Sequence, residues 1–174
     1  STDGIGLETA KMLLAGGERV LLHGRNPKKL EPVRKSLTEQ FGAERIETYL
    51  ADLSRGPDVE NLAAEVSARH NAIDVLINNA GNAHGLSPIQ SGDTRDWDAM
   101  IDINVKGLLY VSKAVIPFMT ARSSGHIINI GSIAGKEVYP NGNVYCASKF
   151  AVDALTKGMR FDLNSFGIKV TSIN

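Results

Sequence analysis

Short apolar segments alternate with longer amphipathic stretches along the chain. Five short segments predict buried β-strands, at residues 20–23, 46–50, 73–77, 126–130 and 169–173. Apolar residues recur at helical spacing between them, in residues 7–14, 28–41, 57–70, 94–119 and 144–166. Because strands and helices alternate without an internal repeat or low-complexity segment, the pattern predicts an α/β fold, a doubly wound parallel sheet in a single domain over residues 1–174.

Composition and charge narrow the class of ligand. The 174 residues include 19 acidic and 19 basic side chains, so the zero net charge gives no reason to expect nucleic acid or an anionic membrane as partner. A small neutral or anionic molecule fits better. No apolar run approaches the roughly 20 residues of a membrane-spanning helix, and no signal-like segment precedes the fold. We therefore expect a cytoplasmic protein.

Cysteine and histidine usage indicates neither disulfides nor metal. Cys146 is the only cysteine, which excludes an intrachain disulfide and suits a reducing compartment. The four histidines are scattered without the spacing of metal ligands, so the sequence predicts no metal site.

Tyr145 and Lys149 are the first candidates for chemistry. They stand four positions apart in a predicted helix and share one face, where the charge of Lys149 favours ionisation of Tyr145. A free tyrosine has a pKa of about 10, so a neighbouring cation is what allows proton exchange near neutrality. Ser132 follows a predicted strand, and its hydroxyl is a candidate hydrogen-bond partner for a substrate carbonyl. Tyr-x-x-x-Lys alone, however, is a spacing that many helices contain.

Two glycine-containing segments are typical of a nucleotide site. Gly4-Ile5-Gly6 opens a predicted helix, whose free N–H groups and dipole favour a pyrophosphate. About twenty residues on, an acidic side chain would bind the ribose of NAD, but Gly24 stands there and Arg25 follows it. With no carboxylate to repel it, a 2'-phosphate can pair with Arg25, so the sequence favours NADP over NAD.

Together with Asn78-Asn79-Ala80-Gly81 and Asn104, these motifs resemble the short-chain dehydrogenase/reductase family. Five separated motifs occur in the family's order and spacing, and the resemblance covers essentially the whole chain. It implies a Rossmann-type sheet with helices on both faces, and an oxidoreductase acting on CH–OH groups. Residues 131–149 are similar to the branch acting on 3-hydroxy acids, such as malonic semialdehyde reductases and serine 3-dehydrogenases, whereas residues 1–30 equally resemble retinol-type and steroid-type reductases.

The resemblance implies roles for four catalytic residues. Tyr145 would exchange a proton with the substrate, and Lys149 would lower the pKa of Tyr145 and bind the nicotinamide ribose. Ser132 would position and polarise the carbonyl. Asn104, in the motif Asn-x-x-Gly, would disrupt its helix locally and hold a water that links Lys149 to solvent, completing a proton relay.

The resemblance also implies which residues contact NADP, with NAD as the less favoured alternative. These residues are Asp3, Gly4, Ile5, Gly6, Arg25, Asn26, Asp52, Leu53, Asn79, Ala80, Gly81, Tyr145 and Lys149. Asp3 complicates the assignment, since the family often has a basic or neutral residue where this position faces the adenosine ribose. The implied substrate is a small carbonyl compound or secondary alcohol, and Lys136 is a candidate cation for a carboxylate substrate.

Both ends of the sequence fall inside family motifs. The chain begins without methionine in the glycine turn and stops directly after the predicted strand 169–173, so we expect the first and last strands of the family's sheet to be missing. Because the first strand is central in that sheet, residues 1–174 alone are expected to fold poorly.

Two other functional classes stay open at this point. One is an NADP-binding sensor without catalysis, and the other is an inactive fragment of an enzyme. The resemblance further implies a homodimer or homotetramer, formed through the helices that carry Asn104 and Tyr145.

Overall fold

The computed structural model describes residues 2–174. It contains two compact units, one ending at Asp52 and one comprising Leu53–Asn174. The prediction of a single domain over residues 1–174 stays a prediction. Among the residues described, no helix is long and apolar enough to cross a membrane.

The first unit is a two-stranded parallel sheet with two helices. Its elements are α1 (Gly4–Ala15), β1 (Val20–Gly24), α2 (Pro27–Phe41) and β2 (Ile46–Leu50). The strands pair in register from Val20 opposite Ile46 to Gly24 opposite Leu50. Amphipathic faces of the helices pack on this sheet and form a core of Ala10, Leu14, Leu22, Leu30, Leu37 and Ile46.

The second unit is a three-stranded parallel sheet with four helices. Its elements are α3 (Gly56–Ser67), β3 (Val75–Asn78), α4 (Thr94–Ile101), α5 (Leu108–Thr120), β4 (Gly125–Ile130), α6 (Asn143–Leu163) and β5 (Ile168–Ile173). The strand order is β3-β4-β5. Its core consists of Leu108, Met119, Ile127, Val152, Met159, Leu163, Ile168 and Val170. All strand pairs in both sheets are parallel, so the prediction of a parallel α/β fold is confirmed.

The predicted helix over residues 94–119 is interrupted. A π-helical segment, Asp102–Gly107, separates α4 from α5, and it contains Asn104. Such segments insert one extra residue per turn and are frequent at functional sites. The position of Asn104 agrees with the local disruption expected there, because asparagine is a poor helix former in a helix interior.

A buried polar network ties the second unit's sheet to its helices. Asn129 of β4 is fully buried, and its Nδ2 donates to Oγ1 of Thr156 at 2.9 Å. Its Oδ1 accepts from Nδ2 of Asn78, at the end of β3, at 2.9 Å. The same Asn78 Nδ2 donates to Oγ of Ser112 at 3.0 Å. These bonds fix the carboxyl end of β3 against β4, α5 and α6, because each buried polar group needs its partner.

Asn129→Leu tests how much this network stabilises the unit. The substitution leaves one N–H of Asn78 buried and unpaired, so the free energy of unfolding should fall by about 1–3 kcal/mol. Denaturant unfolding of the two proteins measures the difference. The exposed Asn61→Leu is the control and should stay within about 0.5 kcal/mol. An equal effect of both substitutions would contradict the role assigned to the network.

Candidate active site

The side chain of Asn104 is buried and all its donors are used. Its Oδ1 accepts from the backbone N–H of Asn82 at 2.8 Å, and its Nδ2 donates to the carbonyl of Asn82 at 2.9 Å. The same Nδ2 donates to Oγ of Ser148 at 3.0 Å. A side-chain amide has two N–H donors, so none remains for a further acceptor. Asn104 therefore holds the chain after β3 and the helix α6 in a fixed relation to the π-helical segment.

Lys149 is a buried cation beside Tyr145. The lysine is 8 % exposed, and its Nζ lies 5.9 Å from the centroid of the Tyr145 ring. Nζ donates to the carbonyl of Ile130, the last residue of β4, at 3.0 Å. Burial lowers the pKa of Lys149. An ammonium has three donors, so this geometry leaves two for a ligand.

The segment Asn78-Asn79-Ala80-Gly81 lies next to Asn104 and Lys149 at Gly81. A Cβ at Gly81 would lie 3.1 Å from Oδ1 of Asn104 and 3.6 Å from Nζ of Lys149. A larger side chain at Gly81 would therefore press on the amide and fill the space beside the ammonium. Asn79 is half-buried and Ala80 is exposed in the same turn.

Ser132 stands in extended backbone just after β4. Its Oγ accepts from the N–H of Ala134 at 3.1 Å, which starts the short turn Ile133–Gly135. The turn packs closely on α6, because a Cβ at Gly135 would lie 2.7 Å from the carbonyl of Lys149. Since the oxygen of Ser132 accepts this bond, its hydroxyl proton is the part that can be donated to a substrate.

Lys136, the candidate cation for a carboxylate substrate, forms an ion pair in the structure. Its Nζ forms an ion pair with Asp153 at 2.5 Å, and Asp153 also pairs with Lys157 at 2.8 Å. Hydrogen bonds, first from Lys136 and then from Lys157, lower the pKa of Asp153. The Asp153 partner of Lys136 lies 17 residues away, and only folding brings the two together. A role of Lys136 towards a carboxylate substrate stays a prediction.

In the first unit, α1 begins as a phosphate-binding helix would. Gly4 has φ +56°, a left-handed conformation that favours glycine, and Gly6 is buried. Asp3, at the N-cap, makes no capping bond with its side chain, and the first turn carries no acidic residue. The Asp3 carboxylate instead lies 3.4 Å from Nζ of Lys29, with both side chains exposed. Ile5 is 65 % exposed, so it faces away from the unit's core.

The end of β1 carries Gly24 where an acidic residue would bind the ribose of NAD. A Cβ at Gly24 would lie 3.1 Å from Cγ2 of Thr2 and 3.3 Å from Cδ1 of Leu30, so a larger residue would require these two side chains to shift by a small distance. Arg25 is exposed. Asn26, a predicted cofactor contact, caps α2 by accepting from the N–H of Lys28 at 2.9 Å.

Asp52 and Leu53 differ in their surroundings. Asp52 is half-buried and directly follows Ala51, whose carbonyl lies 2.9 Å from Nε2 of His23. Asp52 does not cap the next helix, because α3 has Arg55 at its N-cap. Leu53 is 8 % exposed and serves the core of its unit.

Sequence reasoning missed three residues that hold the site together. Ser148 is fully buried, accepts from Asn104 and donates to the carbonyl of Tyr145 at 2.7 Å. Asn82 supplies the backbone to which Asn104 binds. Asn143 donates to the carbonyl of Ser87 at 2.9 Å and fixes the loop after β3 to the start of α6. Only Ser148 had a signal, its place inside the Tyr145 to Lys149 motif.

The other side chains considered for chemistry are the possible metal ligands and Cys146. Within residues 2–174, no group of three or more His, Cys, Asp or Glu side chains could hold a metal ion. Cys146, next to Tyr145, is fully buried.

Known proteins with similar sequences include dehydrogenases. The sequence model of the short chain dehydrogenase family matches residues 1–174. NADP-dependent 3-hydroxy acid dehydrogenase YdfG of Salmonella typhi is 39% identical over 173 residues, which cover 99% of this chain and 68% of that protein.

Two solved structures show the same fold. The closed form of serine dehydrogenase complexed with NADP+ is 36% identical with a TM-score of 0.91, over 98% of this chain and 67% of that chain. NAD+-bound xylitol dehydrogenase is 33% identical with a TM-score of 0.93, over 99% of this chain and 66% of that chain. The chain thus spans about two thirds of these relatives, and the predicted Rossmann-type fold is confirmed. On the family match over its full length, the chain belongs to the short-chain dehydrogenase family.

Proposed function

We propose that this oxidoreductase transfers a hydride between NADP and a small carbonyl compound or secondary alcohol, of the 3-hydroxy acid class. The observation that carries the proposal is the buried Lys149 ammonium beside the Tyr145 ring, with one donor bound to the carbonyl of Ile130. Burying a cation is costly unless it is paired and hydrogen-bonded. Within residues 2–174, Nζ of Lys149 makes one hydrogen bond, so a bound ligand can supply further partners. A phenol beside it is a suitable proton donor and acceptor.

The residues present fit NADP. Two free donors on Lys149 suit the hydroxyls of the nicotinamide ribose, and Gly81 leaves the space beside them open. In the first unit, the N-terminus of α1 at Gly4 offers unpaired N–H groups to a phosphate. Arg25, exposed after Gly24, suits a 2'-phosphate.

Within the site, each residue has a separate task. NADP, when bound, supplies or accepts the hydride. Tyr145 gives its phenolic proton to the substrate oxygen in reduction and takes it back in oxidation. Ser132 donates a hydrogen bond to the same oxygen, and Lys149 stabilises the phenolate. Asn104 works through position, because both its N–H groups are already bound to Asn82 and Ser148.

The preference for NADP and for 3-hydroxy acids rests on two kinds of support. Gly24 carries no side chain, so no carboxylate repels a 2'-phosphate at this position. The similar YdfG is named an NADP-dependent 3-hydroxy acid dehydrogenase, and the similar serine dehydrogenase structure holds NADP+. Lys136 shares the Asp153 carboxylate with Lys157, so this cluster of two cations and one anion keeps a net positive charge for a substrate carboxylate.

A non-catalytic NADP sensor is the alternative. Loss of a catalytic residue would favour it, but Asn104, Ser132, Tyr145 and Lys149 are all present. A cytoplasmic location is supported by the single, buried Cys146.

We further propose a homodimer or homotetramer built on α5 and α6. Both helices expose large apolar side chains that a monomer would leave in water: Leu109 and Tyr110 on α5, and Phe150 and Phe161 on α6. Phe161 is 85 % exposed, so its burial against a partner would gain the most apolar area.

Tyr145→Phe tests the reaction. Removing the phenolic oxygen eliminates the proton donor, so the rate of NADPH oxidation with malonic semialdehyde and other small carbonyls should fall about 10²- to 10⁴-fold. NADPH binding, followed by fluorescence titration, should persist. Tyr139→Phe is the matched control, since Tyr139 is an exposed phenol in the preceding loop. Tight NADPH binding without turnover of any carbonyl by the parent protein would favour the sensor instead.

Lys149→Met tests whether burial of the Lys149 ammonium lowers the free energy of unfolding of the protein. Burial places the pKa of folded Lys149 below its ordinary 10.5, so between these values the unfolded state binds more protons and stability rises with pH. The variant lacks this rise. The free energy of unfolding of the variant, minus that of the parent, should therefore be largest near pH 7. It should decline towards pH 10.5, because only the parent gains stability as the pH rises. Turnover by the variant should be lost.

Urea unfolding of parent and variant across that pH range makes the Lys149 comparison. Lys113→Met, an exposed lysine on α5, controls for removal of a lysine as such. A stability difference between parent and Lys149→Met that does not change with pH would rule out the burial effect.

Phe161→Glu tests the proposed assembly. A carboxylate in an apolar interface should raise the dissociation constant at least about tenfold, which corresponds to 1.4 kcal/mol. Size-exclusion chromatography with light scattering over a dilution series detects the shift. Phe166→Glu is the control, because Phe166 is 44 % exposed but lies beyond the end of α6. An unchanged oligomer in Phe161→Glu would place the interface elsewhere.

A further inference from the structure

Lys29 is a cation at a helix position that disfavours one. It is the third residue of α2, after Pro27 and Lys28, and Asn26 caps the helix. The N-terminus of a helix is the positive end of the helix dipole, so a lysine in the first turn is slightly destabilising. Helix formation therefore does not account for a lysine at this position.

The ion pair of Lys29 connects two helices. Its Nζ lies 3.4 Å from the carboxylate of Asp3, which stands 26 positions earlier at the N-cap of α1. The two side chains are 62% and 78% exposed, and an exposed ion pair contributes little to stability. Farther along α2, by contrast, Lys35 pairs with Glu39 within the helix. The pair of Lys29 with Asp3 therefore calls for a reason other than stability.

This ion pair lies beside the end of β1. A Cβ at Gly24 would lie 3.1 Å from Cγ2 of Thr2 and 3.3 Å from Cδ1 of Leu30. Asp3 directly follows Thr2, and Lys29 directly precedes Leu30. The pair is therefore next to Gly24, at the position where a dinucleotide-binding fold recognises the adenosine ribose.

A 2'-phosphate on that ribose distinguishes NADP from NAD. Its negative charge is attracted by the exposed Arg25 and repelled by the carboxylate of Asp3. An aspartate at the start of α1 thus opposes the preference for NADP that Arg25 favours. Lys29 removes this conflict, because its ammonium balances the charge of the carboxylate at 3.4 Å.

We propose that Lys29 is a specificity-determining residue for NADP, which acts by neutralising the carboxylate of Asp3 beside the 2'-phosphate. This inference rests on the proposed function, in which NADP is the cofactor. Without Lys29, the uncompensated carboxylate would repel the 2'-phosphate. NADH has no 2'-phosphate, so its affinity should not depend on Lys29.

Lys29→Met removes the ammonium and keeps an unbranched side chain. NADPH affinity, measured by fluorescence titration, should weaken about tenfold, which corresponds to 1.4 kcal/mol, while NADH affinity stays unchanged. Thermal unfolding of the ligand-free protein should also stay unchanged, because the lost ion pair is exposed. Lys35→Met is the matched control, since it removes a lysine of the same helix from an exposed ion pair and should alter neither affinity.

Asp3→Asn, combined with Lys29→Met, separates neutralisation from direct contact. The repelling carboxylate is then absent, so the double variant should regain most of the parent's NADPH affinity. A double variant that binds NADPH as weakly as Lys29→Met would overturn the proposal and assign Lys29 a direct contact with the phosphate. Unchanged NADPH affinity in Lys29→Met, or equal losses for NADPH and NADH, would overturn it as well.

These titrations also distinguish failure of this inference from failure of the proposed function. Both affinities are measured without a carbonyl substrate. A parent protein that turns over no carbonyl would therefore count against the proposed reaction, while the comparison of NADPH with NADH would still decide the role of Lys29.

Discussion

Burial of the Lys149 ammonium is the constraint on which the proposed site depends. A cation of this size can be kept out of water only with a partner, and the carbonyl of Ile130 at the end of β4 supplies it. The ammonium also needs space, which two glycines provide. Gly81 keeps side-chain atoms away from Nζ, and Gly135 allows the turn after Ser132 to approach the backbone of Lys149. A side chain at Gly135 would force the turn after Ser132 away from α6, and one at Gly81 would press on Oδ1 of Asn104.

The π-helical segment carries the side chain that links the chain after β3 to α6. By breaking the regular helix at Asp102–Gly107, it directs the side chain of Asn104 to the backbone of Asn82 and to Ser148. Ser148 in turn binds the carbonyl of Tyr145. One amide therefore fixes both the chain after β3 and the helix that carries the tyrosine and the lysine. Both side-chain N–H groups of Asn104 are occupied by these bonds.

Buried side-chain hydrogen bonds also connect the strands of the second unit. Asn78 and Asn129 close the carboxyl ends of β3 and β4 with buried hydrogen bonds, and parallel strands place these ends at one edge of a sheet. Ser132 follows the end of β4, and Nζ of Lys149 binds the carbonyl of Ile130 at that end. A rigid polar edge beneath them limits their movement, which is what positioned proton transfer requires.

The sequence by itself determined the order of strands and helices, the face shared by Tyr145 and Lys149, and the family. These follow from local patterns, because apolar periodicity and a spacing of four residues act within one element. The tertiary structure alone decided which groups meet: Lys149 with Ile130, Asn104 with Asn82, and Lys136 with Asp153. These partners lie 17 to 22 residues apart, so their pairing depends on how the elements pack and leaves no periodic signal in the sequence. For that reason the ion-pair partner of Lys136 and the contact between Asn104 and Asn82 could not be predicted from the sequence.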